Sequence, residues 1–246
     1  MKKHVLTMVG AMLCFAALSA QEVESNSSVL FDGLSYNFAF SWKKKTPKPK
    51  ESHYKGLGFS FNNLVNNDAN DADLVLGKTH SFLFNMGDLI LPVNRNWLFA
   101  TGFGLEWSRY YFRGQHLQAT GRRTGFIFDD NAYKASKLKV DYATIPLLLE
   151  YQTKSGCNKE FFIYAGVEGL VKWFSNSKAY LVKHGSERTV VYKDLNLLPL
   201  NFRFTARMGY DSYSVFGYYQ PYSMFESGKG PDMHSFGIGF MLNWGD

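Results

Sequence analysis

Cysteine is almost missing from this chain, with two residues, Cys14 and Cys157, in 246. Cys14 sits inside an N-terminal apolar run, so a chain trimmed of that run keeps one thiol and forms no internal disulfide. An excess of one charge is missing too. The 27 Lys and Arg, less Lys2 and Lys3, against 21 Asp and Glu leave a formal charge of +4, too mild to argue for nucleic acid. Long apolar runs are also lacking. Beyond the first twenty residues no stretch reaches the roughly eighteen apolar residues of a membrane helix, which excludes a helical membrane protein.

The one apolar run is N-terminal. Lys2, Lys3 and His4 precede "VLTMVGAMLCFAAL", and "LSA" precedes Gln21, which predicts an export signal cut after Ala20. The run is too short and too poorly flanked to span a bilayer. Leu13 is too large for the position before a lipidated cysteine, so Cys14 does not mark a lipoprotein.

What the chain does have is aromatic residues, 17% of it, arranged by alternation. Eight segments near 54–64, 80–91, 96–112, 138–153, 160–175, 195–210, 213–222 and 234–244 alternate bulky apolar with small or polar residues, the period of a strand with two unlike faces. In 96–112, Trp97, Phe99, Phe103, Leu105 and Trp107 share one parity, and Ala100, Gly102, Gly104, Glu106 and Ser108 the other. In 160–175, Phe161, Ile163, Ala165, Val167, Val171 and Trp173 oppose Tyr164, Gly166, Glu168 and Lys172. In 195–210, Leu198, Leu200, Phe202, Phe204 and Met208 oppose Asn201, Arg203, Thr205 and Arg207. Charges thus fall on one parity. Segment 80–91 is the weakest, because Phe82, Phe84 and Met86 are interleaved with Leu83 and Leu89.

The connections alternate between long and short. "VNNDANDADLVLGK", "RGQHLQATGRRTGFIFDDNAYKAS", "NSKAYLVKHGSERTVVYKD" and "SMFESGKGPDM" are long, whereas "PVNR", "KSGCNK" and "DS" are short. Together these features predict an all-β fold: an eight-stranded antiparallel transmembrane β-barrel with long extracellular loops and short periplasmic turns. Trp97 and Trp107, ten residues apart on one parity, are separated by roughly 23 Å along the membrane normal, close to the height of the apolar band. Trp97, Trp107, Trp173 and Trp244 are therefore expected to form the aromatic girdle. The predicted organisation is a signal peptide over 1–20, a periplasmic leader over 21–53 carrying the basic "KKKTPKPK", and a barrel over 54–246.

The segments "VDYATIPLLLEY" (140–151), "LFATGFGLEWSRYYF" (98–112) and "MFESGKGPDMHSFGIGF" (224–240) resemble the PorT-like outer-membrane β-barrel family of Bacteroidota over residues 54 to 246. The resemblance implies an eight-stranded barrel and outer-membrane residence, with a protein-secretion apparatus as the setting of the family's namesake. It also implies insertion by the barrel assembly machinery through an aromatic-ended last strand, here ending at Trp244.

An eight-stranded barrel has room inside for side chains and little else. Glu106, Glu150, Glu168, Lys172, Arg203 and Arg207 are expected there as a charge network that plugs the lumen, since buried charges must pair. Gly237 and Gly239 are expected to face inward and make room for those long side chains. Arg109, Arg113, Arg122 and Arg123 cluster at the extracellular end, where lipopolysaccharide phosphates or solvent would meet them. A nucleophile–base pair is not fixed by any spacing among His80, His116, His184 and His234 or Ser81, Ser186 and Ser235, so no catalytic set is assigned. "NDANDAD" (67–73) lacks the glycine of a calcium loop, and "GKG" (228–230) lacks phosphate-loop spacing, so neither metal nor cofactor is expected.

The functional expectation is a monomeric outer-membrane barrel with a plugged lumen and a non-catalytic role that is structural, binding or secretion-accessory. Its partners would be outer-membrane lipid, lipopolysaccharide and an envelope or secretion protein. A narrow gated pore for small solutes and a hydrolase acting at the extracellular rim are the alternatives.

Overall fold

The computed structural model describes residues 52–66, 74–128, 133–155, 159–183, 186–193 and 195–244. The expected export signal, the expected leader through residue 51, residues 67–73, Cys157 and His184 lie outside them. Eleven strands are present among these residues: β1 (Gly56–Asn66), β2 (His80–Pro92), β3 (Trp97–Phe112), β4 (Gln115–Thr120), β5 (Arg123–Phe128), β6 (Tyr133–Ser155), β7 (Lys159–Lys183), β8 (Ser186–Tyr192), β9 (Leu200–Tyr210), β10 (Tyr213–Tyr219) and β11 (Met233–Asn243). Eight of them, β1, β2, β3, β6, β7, β9, β10 and β11, pair antiparallel in a ring, closed by β1 on β11 and β6 on β7. The barrel is closed because each peptide group at the level of the lipid must find its partner within the protein.

Alternation becomes an inside and an outside. On β11, Ile238, Phe240 and Leu242 are exposed, while Gly237, Gly239, Met241 and Asn243 are buried. The same division runs along β3, β7 and β9, so Phe103, Phe204 and Met208 form part of an apolar outer wall far too large for a surface bathed only in water.

The weak alternation of 80–91 has a local cause. Asn85 lies opposite Gly104 and Gly87 opposite Phe103, which leaves Met86 as an extra residue on β2. This β-bulge shifts the outward parity from Phe82 to Leu89 and Leu91. A second bulge lies on β7, where Asp141 faces Phe174 and Tyr142 faces Lys172. Trp173 is the extra residue, and it points outward together with Phe174, at 60% and 45% exposure. Pro146 explains a third irregularity. The β3–β6 ladder lapses at Gly102 and Phe103, opposite the proline that has no N–H to give, and Thr101 Oγ1 donates to its carbonyl at 2.7 Å instead.

The structure corrects three boundaries. Segment 195–210 is a strand only from Leu200. Leu195 and Leu197 turn inward and are buried, and Leu198 lies outside the ladder. The connections read as long loops contain regular structure: β4 and β5 form a separate hairpin, and β7 runs on past Trp173 to pair with β8. Charge also leaves the inward parity at one end, since Arg109, Lys139 and Asp141 share the outward parity of β3 and β6.

Because lipid surrounds the outer wall, Phe103→Arg is expected to destabilise the barrel by about 2–4 kcal/mol, whereas Phe103→Leu has little effect. Heat-modifiable gel mobility after refolding into vesicles measures this, and equal folded yields for both variants would contradict the lipid-facing parity. Deleting residues 240–246 removes the β11 pairings of Phe59, Gly58, Leu57 and Gly56. Loss of all heat-modifiable barrel is the expected result.

Candidate functional site

The candidate site is the lumen and the cover over its extracellular mouth. Midway through the barrel, Arg203 on β9 lies between two carboxylates. Its Nε donates to Glu168 at 2.6 Å and its Nη1 to Glu106 at 2.5 Å, and the three residues are 3%, 4% and 2% exposed. Register brings two of them together, since Glu168 on β7 is directly opposite Arg203. Glu106 reaches across the lumen from β3. Its second oxygen accepts from Ser108 Oγ at 2.6 Å, which is hydrogen-bonded to Ser81 Oγ at 2.5 Å. Asn62 Nδ2 donates to Ser81, and Ser60 Oγ donates to Asn62 Oδ1. One continuous network therefore joins β1, β2, β3, β9 and β7 through the barrel's interior.

Aromatic rings fill the space beside the arginines. Arg203 lies over the Tyr218 ring at 4.4 Å, and Arg207 over the Tyr164 ring at 4.6 Å with Phe216 at 5.5 Å. These rings occupy the room that Gly237 and Gly239 leave. A Cβ at Gly237 would come within 2.7 Å of Asn62 Oδ1 and 2.8 Å of Tyr218, and one at Gly239 would clash with the Phe59 carbonyl oxygen and come within 2.7 Å of Phe216. The glycines thus accommodate the neighbouring strand β1 and the rings of β10, and only through those rings the guanidinium groups. That is a correction to the expectation that they make room for the charged chains directly.

The remaining inward charges engage main chain or the segment before β1. Lys172 Nζ donates to the Leu197 carbonyl at 2.5 Å, and Arg207 Nη1 to that of His53 at 3.4 Å. Glu150 accepts from Ser52 Oγ at 3.1 Å and Gln152 Nε2 at 2.9 Å, and its Oε1 is 2.7 Å from His53 Nδ1. His53 is stacked on Phe162 with ring centroids 3.9 Å apart, and Tyr54 is buried beside Leu98, Leu148 and Tyr164. Residues 52–54 thus fill the periplasmic end of the barrel before β1 begins. Ser52 and His53 precede the first alternating segment and carry no strand pattern, so the sequence does not mark them as lumen residues. Asn62, Ser81 and Ser108 were legible as small polar residues on an inward parity.

The extracellular mouth is covered by apolar side chains. Leu117 of β4, Leu195, Leu197, Met224 and Phe225 are buried against Tyr110, Leu138, Val140 and Leu170 of the barrel wall. Main-chain contacts lock the cover: Thr124 N donates to Lys229 O at 2.7 Å, and Leu197 bridges Phe225. His116 is buried and stacked on Tyr192 at 5.0 Å. Ser81 belongs to the lumen network, Ser235 bonds Tyr110, and His234 lies 3.1 Å from Asp232.

Of the rim arginines, Arg109 is ion-paired with Asp141. Arg113 follows β3, Arg122 lies in the β4–β5 turn and Arg123 opens β5, all three exposed. Trp97 and Trp244 lie at the periplasmic ends of β3 and β11, Trp97 against Tyr151 at 5.0 Å and Trp244 against Phe84 at 6.1 Å. Trp107 and Trp173 lie at the opposite end, with Trp107 5.8 Å from Phe82.

The family described as outer membrane protein beta-barrel domain matches residues 54–224. No curated protein matches this chain. Among solved structures, the chain is similar to Ail, the attachment invasion locus protein of Yersinia pestis, solved in complex with the heparin analogue sucrose octasulfate. Identity is 8%, 77% of this chain and 96% of that chain are covered, and the TM-score is 0.31.

Removing one member of the Arg203 triad leaves a buried charge short of its partner. Glu168→Ala is expected to destabilise the barrel by about 3–5 kcal/mol, and Arg203→Met by at least as much because two carboxylates are then bare. Urea titration of folded barrel in vesicles reads both. An unchanged midpoint for the two variants would show that the triad does not hold the lumen together.

Proposed function

The chain belongs to the outer-membrane β-barrel protein family and resides in the outer membrane, and from that premise we propose that it serves the envelope as a closed, non-conducting barrel acting through its extracellular surface. The observation that carries this reading is the threefold filling of the lumen. Residues 52–54 fill the periplasmic end, the Arg203 triad crosses the middle, and the apolar cover of Leu117, Leu195, Leu197, Met224 and Phe225 closes the mouth. A solute would have to displace all three, one of them a charged network bonded on every side.

The role is non-catalytic. The lumen's acids and arginines are engaged with one another, with main chain, with aromatic rings or, for Glu150, with Ser52, His53 and Gln152, so none is presented to a substrate. Such a barrel offers instead a rigid base for extracellular strands, which suits binding to an envelope or secretion protein. The segment at 140–151, with Pro146 amid aliphatic residues, resembles the PorT-like barrels, and that resemblance favours a secretion-accessory setting over a purely structural one. It acts as a monomer, inserted by the barrel assembly machinery, with exposed Arg113, Arg122 and Arg123 available to lipopolysaccharide.

Purified protein in planar bilayers is expected to pass no steady current. Removing residues 115–128, which form the β4–β5 hairpin, is expected to leave the bilayer silent as well, because the Arg203 triad and residues 52–54 remain in place. Steady single-channel current from the intact protein would overturn the plugged-barrel reading in favour of a narrow pore.

A further inference from the structure

Charge appears on the outward parity of β3, β6 and β7 in the Trp107 row and the two rows above it. Register defines three successive rows across these strands: Trp107, Asp141 and Phe174, then Arg109, Lys139 and Asn176, then Tyr111, Lys137 and Lys178. Directly opposed residues of an antiparallel pair share a face, so these rows stack on the outer wall. Two of the opposed pairs set cation against cation, Arg109 against Lys139 and Lys137 against Lys178. The one carboxylate in the three rows, Asp141, is ion-paired with Arg109. Lys139 has Lys137, Lys178 and Arg109 as charged neighbours besides that aspartate. The Lys137 ammonium is held between the rings of Tyr111 and Tyr180, 5.8 and 5.7 Å from their centroids.

Like charges directly opposed weaken a sheet. Their persistence in two neighbouring rows marks a place where an anion comes from outside the chain. The height of the patch says which anion. The second row stands two residues beyond Trp107, about 5 Å further along the membrane normal for a tilted strand, where a bilayer's headgroups begin. Below the Trp107 row, whose Asp141 is taken up by Arg109, lie Leu105, Ala143 and Val171, an apolar row with the smallest side chain in the centre. Phosphate above and hydrocarbon below is the chemistry of a phosphorylated lipid standing upright against the wall.

We propose that Arg109, Lys137, Lys139 and Lys178 form a binding site for the phosphate groups of an outer-leaflet glycolipid, whose acyl chains descend over Leu105, Ala143 and Val171. The aromatic rings around Lys137 hold its ammonium at headgroup height, and the aliphatic stems of the lysines cover the upper edge of the apolar band. The site rests on outer-membrane residence and is independent of whether the lumen conducts, so a current in planar bilayers would leave it standing.

The test uses full-length barrel refolded in an uncharged detergent and titrated with phosphorylated lipid A, with the same lipid after enzymatic removal of its phosphates, and with inorganic phosphate. Saturable binding of phosphorylated lipid A that weakens with added salt is expected, with far weaker binding of the dephosphorylated form. Each lysine beside an anionic lipid surface contributes roughly fivefold in affinity, so the combined variant Lys137→Gln, Lys139→Gln, Lys178→Gln loses on the order of a hundredfold. Without lipid, that variant and the single Lys139→Gln variant are expected to melt at a higher temperature than the parent, because opposed cations are removed. Unchanged lipid affinity in the combined variant, equal binding of the two lipids, or displacement of lipid by equimolar inorganic phosphate would each overturn the proposal. Lower melting of Lys139→Gln in uncharged detergent would do the same.

Discussion

Hydrocarbon offers no hydrogen bond to a peptide group, and that constraint governs every level of this protein. It requires β11 to find β1 along its whole length, from Asn243 opposite Gly56 to Met233 opposite Asn66. Ring closure with eight strands then sets the bore, and the bore decides what can lie inside. Local departures from ideal pairing occur where a compensating group is at hand, as at Pro146, whose carbonyl receives the Thr101 hydroxyl. The bulges at Met86 and Trp173 re-aim whole strands, so that Leu89 and Leu91 below and Phe174 above face lipid.

A narrow interior makes each polar side chain answerable to its neighbours. Arg203 is tolerated because Glu106 and Glu168 converge on it and Tyr218 lies against its plane. Glycine enters the same accounting through volume: Gly237 and Gly239 leave room for Asn62 and the Phe59 carbonyl of β1 and let Tyr218 and Phe216 lean over them toward Arg203 and Arg207. The apolar cover at the mouth solves a different problem. The upper barrel is lined by Tyr110, Leu138 and Val140, and the hairpin and loops bury that lining from water.

Outside, the wall changes character within two residues. Trp107 still belongs with the apolar band, while Arg109, opposite Lys139, belongs to the level of headgroups. A charge on the outward parity is incompatible with the middle of the band and useful at its edge. The single rule that inward residues are polar and outward ones apolar therefore fails at the strand ends.

Sequence alone determined the barrel, its strand number, and which residues of β3, β7, β9 and β11 face lipid, because side-chain alternation is a local property that pleating converts directly into two faces. It also placed Glu106, Glu168 and Arg203 on inward parities. Their meeting was decided by tertiary structure, since register depends on bulges and shear that leave no local trace. The same holds for Ser52 and His53, which carry no strand pattern and acquire partners only once Glu150 and Phe162 are brought to the barrel's end. The opposed pairs Arg109–Lys139 and Lys137–Lys178 are likewise invisible along the chain, where about thirty to forty residues separate the partners. Periodicity is written residue by residue, whereas adjacency across strands exists only after the ring has closed.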